Sequence, residues 1–259
     1  MYSYITNNNH SISINGELII DNLCLLNAII FCNNALRDLD LSTKKFSINI
    51  FETLGMRNLS GLVGEYFAKS LQFNSNGFLH SNLHQDGYPD LLLINNKERL
   101  DYFNSLYTVN NGKMHPKDKS LFSPYKYGGI EVKATCGSTP SASKQPKPLI
   151  GEQRISLVTG FDWKAHHRET NNLLGIFWDF IDEVPTIVAC FYRNDLTVDD
   201  WGKIVQPKEN AGRTTSVSIM NSQGISKMCD GWLAIINRPE YLNKFSLPKW
   251  IGSNICSLF

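Results

Sequence analysis

Two segments with apolar residues at helical spacings stand before a series of short apolar runs, and this order constrains the fold most. Residues 17–39 and 59–71 carry the helical spacings, so we predict two packing helices capped by Asn15 and Ser60. The short runs have strand length and are predicted as strands at 91–94, 130–135, 155–158, 173–181, 186–192, 216–220 and 232–236. The sequence therefore predicts an α/β protein with an N-terminal helical segment.

The chain has 259 residues, enough to bury about 70–75% of the surface that the unfolded chain exposes. No internal repeat or linker divides it, so we predict a single domain over 1–259. Within it we distinguish a helical segment at 1–55, a core at 56–240 and a C-terminal tail at 241–259. The runs at 173–181 and 186–192 are expected to form a hairpin around Pro185, and Thr197 with Asp200 indicates a helix start.

Membrane and secreted classes are disfavoured. The longest apolar stretch, 18–32, is interrupted by polar residues and falls short of the roughly 20 residues that cross a bilayer. No Lys or Arg precedes Arg37, whereas a secretory signal begins with a basic segment. We therefore expect a cytoplasmic protein with no membrane partner. Its six cysteines are scattered without a C-x-x-C pair, which predicts reduced and mostly buried thiols.

Charge is unevenly distributed along the chain, although the net charge is only +1. Between Lys97 and Arg168 there are 12 Lys and Arg against 6 Asp and Glu, whereas the rest of the chain has 13 against 18. A basic stretch attracts a polyanion because Lys and Arg release the counterions that are condensed on phosphates. Solvated loops give the same count, so charge alone leaves both interpretations open.

Two short motifs carry the residues suited to chemistry. Pro89-Asp90 precedes one apolar run, Glu131-Val132-Lys133 lies within another, and 40 residues separate Asp90 from Glu131. Hydrolysis of a phosphodiester uses a divalent cation that neutralises the phosphate and lowers the pKa of a bound water. Mg²⁺ takes one or two carboxylates together with phosphate oxygens and waters. Asp90 and Glu131 on neighbouring strands can supply such a site.

Alternation along a strand explains the Glu-x-Lys spacing. Residues two apart face the same side, so Glu131 and Lys133 point together while Val132 faces the opposite side. The backbone carbonyl of Val132 remains available as a further metal ligand. Lys133 then places a cation beside the attacking water, where it orients or helps to deprotonate that water and stabilises the transition state.

These residues resemble the motif of the PD-(D/E)xK nuclease superfamily, which consists of Pro-Asp, a variable spacer and an acidic-x-Lys triplet. The resemblance implies an α/β fold with a mixed central β-sheet flanked by helices, as in restriction endonucleases. It implies that Asp90, Glu131 and Val132 bind a Mg²⁺ cofactor and that Lys133 is the catalytic lysine. Many members also carry a Glu on the helix before the Pro-Asp strand, and Glu65 matches that position. The spacer is longer than in many members, which implies an insertion.

A broader likeness, from Glu131 to about Trp232, is to type II restriction endonucleases. It implies a Mg²⁺-dependent enzyme that cleaves double-stranded DNA at a short specific sequence and leaves 5′-phosphate and 3′-hydroxyl ends. The segment 56–240 would be its catalytic and DNA-binding core. Three alternatives stay open: a repair or recombination nuclease of the same superfamily, a catalytically silent DNA-binding protein, and a chance match. In a chance match, Asp90 caps a turn, while Glu131 and Lys133 lie on a solvated strand face.

Candidate DNA contacts are basic, amide and hydroxyl side chains in three polar segments. Contacts with phosphates position a duplex, whereas Arg and Gln side chains read base edges in the major groove. We predict DNA contacts by Lys144, Gln145, Lys147, Arg154, His166, His167, Arg168, Arg213, Thr214 and Thr215. Solvated loops, structural capping and structural histidines are the alternative roles for these residues.

One active site per chain must serve two antiparallel DNA strands, so we expect a homodimer that binds a short palindrome. Two-fold symmetry of the protein then matches two-fold symmetry of the DNA. The helix predicted at 17–39 is apolar nearly all round, and part of it is a candidate interface. Burial of this helix within its own chain is the alternative.

Overall fold

The computed structural model describes residues 2–141, 146–165, 171–206 and 216–252, together with Ile255. In chain order its α-helices are α1 (Asn22–Lys44), α2 (Ile50–Phe73), α3 (Lys97–Ser105), α4 (Ser222–Asp230) and α5 (Pro239–Phe245). Its strands are β1 (Tyr4–Thr6), β2 (Ile12–Ile14), β3 (Glu17–Ile20), β4 (Leu79–Ser81), β5 (Leu91–Leu93), β6 (Tyr107–Asn110), β7 (Lys113–Pro116), β8 (Gly129–Thr135), β9 (Lys164–Ala165), β10 (Leu173–Ile181), β11 (Val184–Arg193), β12 (Ser218–Ile219) and β13 (Trp232–Ile236). Short 3-10 helices cover Lys119–Leu121 and Val198–Asp200.

Seven strands form the central sheet in the order β1-β13-β11-β10-β8-β5-β4. Strands β8 and β10 run parallel and the other neighbouring pairs are antiparallel, so the sheet is mixed. Helices α1 and α2 cover one face, where Phe67 and Trp178 belong to one buried cluster. Helices α4 and α5 cover the other face, where Met228 and Phe245 are buried with Phe177. The predicted α/β class, with a mixed central sheet and helices, is confirmed.

The hairpin of β10 and β11 is the most buried part of the sheet. Every residue of β10 and nine of the ten residues of β11 are buried, because helices cover both faces. The turn consists of Asp182 and Glu183, which both have positive φ (53° and 65°), as a two-residue hairpin turn requires. The predicted hairpin is confirmed, although Pro185 lies within β11 and not in the turn.

The helix predicted at 17–39 is wrong at its start. Asn15 and Gly16 have positive φ (53° and 81°) and form the turn of a hairpin between β2 and β3. Asn-Gly is a favoured pair for such a turn, and its geometry extends the following residues into a strand. Asp21, and not Asn15, caps α1 by accepting a hydrogen bond from the amide of Cys24 at 2.7 Å.

The second predicted helix begins earlier than residue 59. Asn49 caps α2, and the backbone leaves the helical region once, at Gly55, where φ is 68°. Ser60 therefore lies inside the helix and does not cap it. Its hydroxyl instead accepts a hydrogen bond from the indole nitrogen of Trp178 at 3.1 Å. This contact ties α2 to the centre of the sheet.

The strand predicted at 155–158 is wrong. Leu157 and Val158 both donate backbone hydrogen bonds to the carbonyl of Arg154, which makes this segment a turn. The amides of Arg154 and Ile155 donate to the buried carboxylate of Asp179 at 2.8 and 2.9 Å. That carboxylate takes the place of a neighbouring strand as hydrogen-bond acceptor.

The other strand predictions agree more closely with the structure. The strands predicted at 91–94, 130–135 and 232–236 are confirmed to within one residue, whereas the one at 216–220 is reduced to Ser218–Ile219. The helix start predicted at Thr197 and Asp200 is that of a 3-10 helix, and the two residues form a capping box there. In the described part of the chain no helix is both long and apolar enough to cross a bilayer. The five cysteines within it are free thiols, three of them buried.

Candidate active site

Strands β5 and β8 are neighbours in the sheet, and their pairing places Asp90 beside Glu131. Leu91 pairs with Ile130 in antiparallel register, so Asp90, the residue before β5, lies opposite Glu131. Gly129 allows β5 and β8 to lie close together, because a Cβ atom at that position would lie 1.8 Å from the carbonyl oxygen of Leu91. Any residue other than glycine would push the two strands apart.

The side chains of Asp90, Glu131 and Lys133 converge on one point. The Nζ atom of Lys133 lies 2.5 Å from Glu131 Oε1 and 3.5 Å from Asp90 Oδ2. The amide of Asp90 donates to Glu131 Oε2 at 3.2 Å, and the amide of Val132 donates to Asp90 Oδ2 at 2.8 Å. Each carboxylate is thus fixed by the backbone beside the other, and one ammonium group contacts both.

Burial and charge act in opposite directions at this cluster. Burial raises the pKa of the Glu131 carboxyl above its usual value, since only 8% of its side chain is exposed, and the Lys133 ammonium only partly offsets this. Burial lowers the pKa of Lys133, but the two carboxylates outweigh burial, so that this pKa lies above its usual value. In this arrangement Lys133 therefore keeps its proton and acts as a cation.

The donor set at this cluster fits Mg²⁺ with few protein ligands. No group of three or more His, Cys, Asp or Glu side chains comes together for a metal among the residues described. The amide of Val132 points to Asp90, and in an extended strand the carbonyl of a residue points to the same side as its amide. Two carboxylates and the Val132 carbonyl can therefore face one ion, which suits Mg²⁺ because it keeps several waters.

An open cleft of about 450 Å³ lies between α2 and the edge of the sheet at this cluster. Asp90 and Lys133 line it from the sheet side, and Glu65 lines it from α2 with an exposed side chain. Helix α2 lies close to β8 at Gly64, where an added Cβ atom would make an ordinary van der Waals contact with the Cβ of Ala134 at 3.7 Å. The structure thus brings Glu65 into the same cleft as Asp90 and Lys133.

Three residues of the cleft wall were not predicted from the sequence. Lys69 donates a hydrogen bond to Ser81 at 2.7 Å, and the Asn82 amide group donates to the carbonyl of Pro89 at 2.9 Å, just before Asp90. His84 Nδ1 is buried and has no hydrogen-bond partner among the described residues. These residues lie in or opposite a polar turn for which the sequence offers no periodic signal.

The predicted DNA contacts fall only partly within the described residues. Lys147 is exposed, but Arg154 is 8% exposed, which leaves little of that side chain for a DNA contact. Its Nε atom is buried without a hydrogen-bond partner in the described part of the chain. The other predicted contacts lie outside the described residues: Lys144, Gln145, His166, His167, Arg168, Arg213, Thr214 and Thr215.

No protein-family model matches the chain, and no curated protein or solved structure matches it either. Function must therefore be inferred from the geometry of the site. Its central elements are the carboxylates of Asp90 and Glu131, the ammonium of Lys133 and the open cleft that Asp90 and Lys133 line.

Proposed function

We propose that the chain is a Mg²⁺-dependent DNA endonuclease, and specifically a type II restriction enzyme that cuts double-stranded DNA at a short sequence. One observation carries this proposal. On two paired strands, the carboxylates of Asp90 and Glu131 contact the same ammonium group of Lys133, beside an open cleft. This combination supplies two metal ligands and one cation, which is what phosphodiester hydrolysis requires.

The roles of the residues follow from their positions. Bound Mg²⁺ would supply the charge that neutralises the phosphate and acidifies a water. Asp90, Glu131 and the Val132 carbonyl would hold the ion. The Lys133 ammonium contacts both carboxylates, so it would orient the water and stabilise the negative charge that develops on the phosphate. Glu65 would act from the α2 side of the cleft, on a water or on the position of Lys133.

Cleavage of supercoiled plasmid DNA tests this proposal. Discrete fragments in Mg²⁺ with 5′-phosphate ends support a restriction enzyme, whereas cleavage only of damaged or branched substrates would favour a repair or recombination nuclease. DNA binding without any cleavage would favour the alternative of a catalytically silent DNA-binding protein. Lys113→Ala is a suitable control for Lys133→Ala, because Lys113 is exposed in β7 and does not line the cleft.

A homodimer is part of the proposal, because two DNA strands must be cut. Helix α1 buries Leu25 and Ile29 against its own sheet, so the alternative of burial within the chain holds for that side. Leu23 and Phe31 remain exposed on α1, and the ring of Phe31 stacks on that of Phe73 at 5.1 Å. Sedimentation with a cognate duplex tests assembly: we expect two chains per duplex, and one chain that nicks the strands in turn would contradict the dimer.

A further inference from the structure

A second cavity, of about 400 Å³, lies on the other side of the segment 87–90 from the catalytic cleft. Gly87 and Asp90 line the cleft, whereas Tyr88 and Pro89 line the second cavity. Its size is within the range of about 300–1,000 Å³ that small-molecule sites occupy. A molecule in this cavity would therefore contact Pro89, the residue before Asp90, although neither Asp90 nor Glu131 lines the cavity itself.

The cavity is also joined to Glu131. Asn172 lines it, and the carbonyl of Asn172 accepts a hydrogen bond from the amide of Glu131 at 2.9 Å. Pro89 is the residue before Asp90 in the chain. The cavity wall thus continues directly into both residues that we propose as metal ligands.

The walls combine rings with amide groups. Tyr88 and Tyr125 supply flat aromatic rings, Pro89 and Pro124 supply saturated rings, and Asn171 and Asn172 supply side-chain amides that can both donate and accept hydrogen bonds. Pro89 and Tyr125 are buried, while Pro124 and Asn171 are exposed, so the cavity has a buried floor and opens to solvent. Lys126 also lines the cavity, and no carboxylate is among the residues described as lining it.

We propose that this cavity receives one nucleobase of the DNA, turned out of the duplex next to the scissile phosphate. This inference depends on the proposed nuclease function. A base has two flat faces, which stack on aromatic rings, and a polar edge, which pairs with amide groups. The Lys126 ammonium, which also lines the cavity, suits the phosphate next to that base, whereas the aromatic rings and amide groups suit the base itself.

A mismatch scan tests the proposal once the cleavage site has been mapped on plasmid DNA. Turning a base out of the stack requires that its pair be broken, and a mismatch has already lost part of that pairing energy. We expect a mismatch at one position beside the cut to tighten binding, measured as Kd in Ca²⁺, while mismatches at other positions of the site weaken it. Tightening at no position would overturn the proposal while leaving the nuclease function intact.

Two variants test whether the cavity causes the tighter binding of mismatched DNA. Tyr88→Ala removes a stacking ring and should weaken DNA binding on the order of tenfold or more. It should also abolish the tightening of DNA binding that the mismatch causes in the wild type. Asn171→Ala changes an exposed side chain at the rim, so it tests the cavity even if Tyr88→Ala fails to fold. This variant should show a smaller tightening of DNA binding by the mismatch. The control Lys113→Ala should show the same tightening as the wild type. Retention of the full tightening in Asn171→Ala and in folded Tyr88→Ala would overturn the proposal, as would a failure of the protein to bind DNA.

Discussion

Substitution of Gly129 by alanine should separate the strands that carry the two carboxylates. The new Cβ would lie 1.8 Å from the Leu91 carbonyl oxygen, and real Cβ contacts essentially never fall below 3.0 Å, so β5 and β8 must move apart by about 1.2 Å. Such a movement breaks ladder hydrogen bonds, and each buried group left unpaired costs about 1–3 kcal/mol. Loss of two such bonds lowers the free energy of unfolding by about 2–6 kcal/mol.

The neighbouring glycine provides the matched control. Gly128 has φ of 67°, and a Cβ atom added there would meet no atom within 4 Å, so Gly128→Ala carries only the strain of a left-handed backbone, about 1–2 kcal/mol. Displacement of reacting groups by about 1 Å lowers a rate on the order of 100-fold. We therefore expect Gly129→Ala to have a lower free energy of unfolding in urea and a lower rate of plasmid cleavage than Gly128→Ala. Equal stability and equal activity of Gly128→Ala and Gly129→Ala would refute the account of how the strands set the site.

Three other predictions address the proposed metal ligands, the proposed metal dependence and the core. Asp90→Ala and Glu131→Ala should each abolish cleavage while DNA binding measured by gel shift persists, and Glu65→Ala should be milder because its side chain is exposed at the far wall. Ca²⁺ should support binding without turnover, because it is larger and bound more flexibly than Mg²⁺; rapid cleavage in Ca²⁺ alone would contradict this. Asp179→Ala should cost about 3 kcal/mol or more in urea unfolding, because three backbone amides lose their buried acceptor at about 1–3 kcal/mol each; a loss below about 1 kcal/mol would be inconsistent with these contacts.

The fold could be predicted where the signal is continuous and local. The apolar run 173–181 gives the bounds of β10 without error, because a strand covered on both faces is apolar at nearly every position. The prediction at 17–39 failed because apolar residues of a hairpin and of a helix follow one another without a gap, and the Asn15-Gly16 turn was the signal that separates them. The turn at 155–158 could not be predicted, because its acceptor, Asp179, lies more than 20 residues away.

Some parts of the candidate site could likewise be predicted from the sequence, and others could not. Asp90, Glu131 and Lys133 could be predicted because strand alternation and a short motif are local features. The second cavity could not, because its walls come from three segments around residues 88, 124 and 172, which only the tertiary structure brings together. The His84 nitrogen in the cleft, which has no hydrogen-bond partner within the described ranges of the chain, is also a property of packing and has no local pattern in the sequence.

Single-turnover cleavage of supercoiled plasmid DNA, compared between wild type, Lys133→Ala and Lys113→Ala, tests the central claim most directly. Both carboxylates contact the ammonium of Lys133, so its removal takes away the cation that we propose the reaction uses. We predict discrete fragments from wild type and Lys113→Ala in Mg²⁺, none from Lys133→Ala, and none from any of them in excess chelator. Cleavage by Lys133→Ala at the wild-type rate, or undiminished cleavage in chelator, would contradict the account.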